Sequence, residues 1–169
     1  SGKTTLSLNL ATHGWEFLAD DTCFLRAGEG PVEGHAFWED LHVTEETIAR
    51  FDSLDFLRQQ IPRRANWKRH FAVEQLEALR PRESCRPRWL VFPRVAEGRE
   101  SQASELSSHE ALLRLLPQSV IPAHPENTAR HFKLLSELVS QLRAFEFSMG
   151  EDLSEVRDRL EGTLLETAR

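Results

Sequence analysis

The chain has 169 residues, 40% of them hydrophobic and 28% charged, with a formal net charge of −6. That length supports one domain with a real core, and the acidic balance argues against broad nucleic-acid binding, which needs a basic face. No apolar run is long enough to span a bilayer. The two cysteines, Cys23 and Cys85, lack the C-x-x-C spacing of a zinc site or redox pair.

The first residues carry the strongest pattern. Ser1-Gly2-Lys3-Thr4-Thr5-Leu6 reads as the last part of the phosphate-binding loop G-x-x-x-x-G-K-[ST], which follows a strand and opens a helix. Gly2, Lys3 and Thr4 fill its last three positions. The first glycine of the pattern and its strand are expected upstream of Ser1, so the reading is a single domain over 1–169 lacking its first strand and the start of the loop. Each residue has a chemical role. Gly2 has no Cβ and lets the backbone approach phosphate oxygens. Lys3 reaches the β- and γ-phosphates as a point charge, and Thr4 offers a hydroxyl to Mg²⁺. The N–H groups from Gly2 to Thr5 open a helix whose positive end faces the phosphates. Ser1, Gly2, Lys3, Thr4 and Thr5 are therefore the candidate nucleotide-binding residues.

A short helix is expected over Leu6–Ala11, with Gly14 closing it. Trp15–Ala19 reads as a strand that delivers Asp20 and Asp21. One carboxylate can take a proton from an acceptor hydroxyl, and the other can hold the water shell of the metal. A second strand over Thr22–Arg26, a turn at Ala27–Pro31 and a return over Val32–Ala36 follow. Cys23 lies in an apolar run and is expected in the core. Phe37 and Trp38 are also expected in the core, with Glu39 and Asp40 solvated; the alternative is that this stretch and His42 line an acceptor site. Thr44 should cap a helix running to Leu57, with Ile48, Phe51 and Leu54 on its packed face.

Ile61–His70 is the concentrated basic segment, read as an exposed loop or as a loop handling phosphates or an acidic substrate. Trp67 either stacks on a base or anchors that loop. His70–Val73 suggests a short strand. After a proline-broken basic linker, Trp89–Phe92 has the continuous apolar character of a buried strand, ended by Pro93-Arg94. An arginine at such a strand end can steady the oxygens of a phosphoryl group. Arg94 is accordingly the candidate transition-state cation, with a structural ion pair as its alternative. Ala96–Ser104 is polar and reads as a surface loop.

Ser107 and Glu110 form a capping box for a helix stopped by Pro117. A longer helix follows, with Phe132, Leu135, Leu138, Val139 and Leu142 on one face. Ala144–Ser148 alternates like a half-buried strand, and Leu153, Val156, Leu160 and Leu164 mark a last helix. His70, His109, His124 and His131 lack zinc-like local spacing, so no histidine metal site is expected.

The run S-G-K-T-T-L followed by H-G-W-E-F-L-A-D-D resembles the kinase domain of HPr kinase/phosphorylase and its HPr-kinase-related relatives. The clear match covers Ser1 to about Arg26. Weaker similarity runs through Arg88–Arg94 and the C-terminal helix–strand–helix, closer to the HPr-kinase-related group than to the HPr enzyme. The resemblance implies an α/β, P-loop-containing fold like that of phosphoenolpyruvate carboxykinase, a mixed sheet flanked by helices. It implies an ATP-dependent kinase phosphorylating a hydroxyl, most plainly a serine of a protein or peptide. ATP and Mg²⁺ are the implied cofactors. Asp20 is the implied general base, Asp21 either assists the metal or orients Asp20, and Thr4 is a metal ligand. The HPr enzyme is a hexamer, but nothing in these residues carries that assembly over, and a homo-oligomer stays open. The expected setting is cytoplasmic, with no membrane and no nucleic acid as partner.

Two other classes fit part of the pattern. S-G-K-T-T-L is common in transporter ATPases, but those carry an L-S-G-G-Q-like stretch and a far later acidic strand end. A catalytically inactive nucleotide- or peptide-binding module in a regulatory or peptide-maturation system would keep the loop without turnover.

Overall fold

The computed structural model describes residues 2–60, 68–96, 98, 100–120 and 124–167. The protein is mixed α/β, with several small sheets. In chain order the elements begin α1 (Lys3–Ala11), β1 (Glu16–Phe17), β2 (Cys23–Arg26), β3 (Glu33–Ala36), β4 (Leu41–Val43) and α2 (Glu45–Ile48). There follow β5 (Arg69–Phe71), β6 (Arg80–Pro81), β7 (Ser84–Cys85), β8 (Trp89–Val95) and β9 (Gln102–Leu106). The chain ends with α3 (Ser108–Leu115), α4 (Pro125–Gln141), β10 (Arg143–Met149) and α5 (Leu153–Glu166). These elements fall into two compact units. One holds Lys3–Cys23 and Ala36–Glu83; the other holds Ser1–Gly2, Phe24–His35 and Ser84–Arg169.

In the first unit, α1 buries Leu6, Leu8, Asn9 and Ala11, so more than one face is covered. Gly14, at φ +99°, turns the chain out of the helix in the left-handed conformation. β1 is two residues long, shorter than the strand expected over Trp15–Ala19, and runs parallel to β6 with Glu16 opposite Arg80. Glu16 also accepts from Arg82 Nε at 2.8 Å. β4 pairs antiparallel with β5, placing His42 opposite His70.

Thr44 caps α2, accepting from the Thr47 N–H at 3.2 Å. The single helix expected from Thr44 to Leu57 is in fact broken. Phe51 is extended, at φ −132° and ψ 108°, and a 3₁₀ helix over Asp52–Gln59 follows. Ile48, Phe51, Leu54 and Leu57 are all buried. Their strict three-residue spacing is the period of a 3₁₀ helix, which a helix of 3.6 residues per turn would carry off the core.

The second unit is built on β10. It pairs parallel with β8, from Arg143–Trp89 to Met149–Val95, and antiparallel with β9. Ala144, Phe145, Phe147 and Met149 of this central strand are buried. Ala111 of α3, Val139 of α4 and Ala144 form a core cluster, with Leu90, Phe92 and Leu106 packed against it. α5 buries Val156, Leu160 and Leu164. The Ser107–Glu110 capping box is present.

Three expectations are corrected here. β8 continues through Pro93 and Arg94 to Val95 and is only half-buried, because it lies at one end of its sheet, where a proline is tolerated. The segment read as a polar loop instead contributes β9, whose Glu105 accepts two 2.7 Å bonds from Arg143. Cys23 is exposed at the start of β2 rather than in the core. β2, β3 and β7 form a separate small sheet, in which apolar residues on a short strand do not guarantee burial.

Candidate functional site

Gly2 belongs to the second unit and has φ +76°, a conformation that favours glycine. A Cβ at this position would press on Met149 Cε and lie 3.2 Å from Val95 Cγ2. Met149 and Val95 are the last residues of β10 and β8, so Gly2 sits at the carboxyl ends of two parallel strands. Ligands of open α/β sheets bind outside those ends. The chain then enters α1, with Lys3, Thr4 and Thr5 in its first turn. Ser1 lies outside the described residues.

Within the first unit, Thr4 and Asp20 come together. The Thr4 hydroxyl donates to Asp20 Oδ1 at 3.1 Å. Asp20 Oδ2 is buried and has no hydrogen-bond partner among the described residues. Burial pushes the Asp20 carboxyl above the usual aspartate range, and the neighbouring Asp21 charge pushes it further. The Thr4 bond, the backbone of His42 and the charge of Lys68 oppose that rise. Asp21 is exposed. Both aspartates sit in a bend beyond the short β1, not on the strand itself.

Thr5 is tied to the same region. Its hydroxyl lies 3.3 Å from that of the buried Thr47, which lies 3.1 Å from the Thr44 hydroxyl. The first turn of α1 is thus joined to the N-terminus of α2 through three hydroxyls.

Nearby on β4 and β5, the rings of His42 and His70 are 6.2 Å apart. His70 Nδ1 lies 3.1 Å from Asp40 Oδ2. Phe37 and Trp38, expected in the core, are 43% and 47% exposed. They lie in the open connection between β3 and β4, where no strand pairing holds them inward. Of the basic segment, 61–67, including Trp67, lies outside the described residues. Arg69 is committed to Glu45 and the Gln60 carbonyl.

Arg94 lies in the second unit. Its Nη2 donates to Ser148 Oγ at 3.3 Å and is 4.0 Å from Glu146, which also binds Arg114. The expected structural partners of Arg94 are therefore present.

Sequence reasoning missed Thr47 and the backbone of His42. The alternation Leu41-His42-Val43 marks a strand, but nothing in it marks contact with Asp20. Lys68 falls in the basic segment Ile61–His70, read from the sequence as an exposed loop or one handling phosphates or an acidic substrate.

A hydroxyl, a carboxylate with one unsatisfied buried oxygen and a neighbouring exposed carboxylate are hard oxygen donors, which suit Mg²⁺. Among the described residues, no group of three or more His, Cys, Asp or Glu side chains could hold a metal. No helix among the described residues is long and apolar enough to cross a membrane. The chain matches no family model, no curated protein and no solved structure.

Proposed function

We propose that this protein is an ATP-dependent, HPr-kinase-like phosphotransferase with a P-loop fold, acting on a hydroxyl, most simply a serine of a protein or peptide. The observation that carries this reading is the bond from Thr4 to Asp20, with Asp20 Oδ2 buried and without a partner among the described residues. A carboxylate so placed is costly unless a positive charge completes it. The helix start bearing Lys3, Thr4 and Thr5 supports an anionic phosphate beside that positive charge. A cytoplasmic setting follows from ATP as donor.

In this mechanism Lys3 and the first N–H groups of α1 hold the β- and γ-phosphates. Thr4 and Asp21 would hold the metal. Bound Mg²⁺ would neutralise phosphate charge and orient the terminal phosphoryl group. Asp20, with its raised proton affinity, accepts the proton of the acceptor hydroxyl as the new O–P bond forms. The bond between the β-bridging oxygen and the γ-phosphorus breaks, and ADP leaves.

The test is calorimetric titration with Mg²⁺-ATP, alongside slow ATP hydrolysis, in wild type and Asp20→Asn. Binding in both with turnover only in wild type supports the kinase. Binding without turnover in either favours the inactive binding module. Absence of binding in wild type overturns the reading.

A further inference from the structure

An ionised phosphate oxygen only accepts hydrogen bonds, so a hydroxyl that meets one must bring its proton. At the first turn of α1 this condition falls on a row of three hydroxyls within the first unit. Thr5 Oγ1 lies 3.3 Å from Thr47 Oγ1, which lies 3.1 Å from Thr44 Oγ1. Thr47 is 7% exposed, so its hydroxyl depends on these two neighbours. Each threonine carries one proton and two lone pairs. Thr44 Oγ1 already accepts the Thr47 N–H at 3.2 Å. The row can run in two directions. From Thr44 to Thr47 to Thr5, both links are made and the Thr5 proton is left over, beside Lys3 and Thr4. In the reverse order the Thr5 proton is spent on Thr47, and Thr5 presents only lone pairs to an anion.

We infer that Thr47 is a positioning residue of the nucleotide site: it donates to Thr5 and so commits the Thr5 hydroxyl to donate to a phosphate oxygen. This rests on the nucleotide reading above. Thr47 acts through Thr5 and touches no ligand itself. Thr44 donates to Thr47 in turn, and each bond received makes the next hydroxyl a better donor. Action through Thr5 makes a specific demand. Removing the Thr47 hydroxyl must weaken nucleotide binding where Thr5 has its own hydroxyl, and must cost nothing where it does not.

The experiment is a double-mutant cycle read by calorimetric titration with Mg²⁺-ATP, with thermal melts of each protein. It compares wild type, Thr47→Val, Thr5→Val and the double variant, with Thr47→Ser as the variant that keeps the oxygen. Thr47→Val should lose about threefold to tenfold in affinity, the size of one hydrogen bond. Thr47→Ser should bind like wild type. In the Thr5→Val background, adding Thr47→Val should change affinity by less than about twofold. Losses that multiply in the double variant would mark Thr47 as a general support of the fold and overturn the assignment. Wild-type affinity in Thr47→Val overturns it too, and both results leave the nucleotide site in place. Thr5→Val decides by itself should Thr47→Val not fold, since wild-type affinity there removes the hydroxyl through which Thr47 acts. A wild-type protein that does not bind Mg²⁺-ATP overturns the nucleotide reading itself, and the role of Thr47 with it.

Discussion

Thr4 Oγ1 satisfies one oxygen of Asp20 at 3.1 Å, while the other is buried with no partner among the described residues. Those residues compensate the carboxylate at one oxygen only. Burial raises the Asp20 proton affinity, so the folded state binds this proton more tightly than the unfolded chain does. The stabilisation this gives is fully present below the ordinary aspartate value and is lost as pH rises through the raised one. At neutral pH the carboxylate is a net cost, and perturbed groups of this kind cluster at functional sites.

Asp20→Asn should consequently do two opposite things. Without metal or nucleotide at neutral pH, its melting temperature should rise by about 2–4 °C, as expected for relief of about 1 kcal/mol in a domain of this size. ATP turnover should fall by about 10²–10⁴, the usual worth of a general base. Scanning fluorimetry and a coupled assay read the two separately. A variant that is both less stable and inactive would mark Asp20 as a structural residue instead.

The Thr4 hydroxyl leads to a test of the metal. Thr4→Ser keeps the oxygen, and Thr4→Val keeps the shape without it. Mg²⁺ with ATP should raise the melting temperature of wild type and Thr4→Ser alike. In Thr4→Val the rise should shrink, with apparent Mg²⁺ affinity down by about tenfold, one lost ligand's worth. A full rise in Thr4→Val would remove Thr4 from the metal.

Local chemistry made much of this legible. The Thr44 cap, the Ser107–Glu110 box and the Gly14 exit are short-range signals, and each appears where the residues indicate. The first-turn placement of Thr4 and Thr5 was legible for the same reason. What escaped was set by pairing across the chain. β9 reads as a loop because its polar side chains lie on a half-buried strand; its partner in β10 is what makes it a strand. The apolar run of β8 looks fully buried, yet its place in the sheet leaves it half-covered. Phe51 breaks a pattern that three-residue spacing alone had made look continuous. His70 comes opposite His42 only because β5 pairs with β4, a register that no local motif encodes.

Acid sensitivity should reside in the second unit. Arg143 holds the Glu105 carboxyl below its usual range, chiefly through their hydrogen bonds, and Arg114 does the same for Glu146. For such groups the stabilisation is present above the ordinary glutamate value and is lost as pH falls through the lowered one. Glu105→Gln should therefore lower the melting temperature slightly at neutral pH and flatten its decline in acid. The measurement is a series of melts from pH 7 to below the glutamate range. Parallel curves for variant and wild type would show that the exposed pair contributes nothing, which is common for such bridges.

Gly2 offers the sharpest test of the loop's backbone. At φ +76° an L-residue with a Cβ is strained by about 1–2 kcal/mol. Two contacts add to this in Gly2→Ala. Met149 Cε is the free end of a flexible side chain and can rotate away. Val95 Cγ2, 3.2 Å from the added methyl, must yield by a few tenths of an ångström. Gly2→Ala should thus lower the melting temperature by about 2–8 °C, on the scale of a 1–2 kcal/mol loss. Adding Met149→Leu should not restore it, since the backbone strain remains. On the proposed nucleotide reading, the loop would also lose its close approach to phosphate, and nucleotide affinity should fall in the same variant. Recovery of stability in the double variant would mean that the Met149 contact, and not the left-handed backbone, is what requires glycine. An unchanged melt in Gly2→Ala would mean that the backbone relaxes to negative φ at little cost.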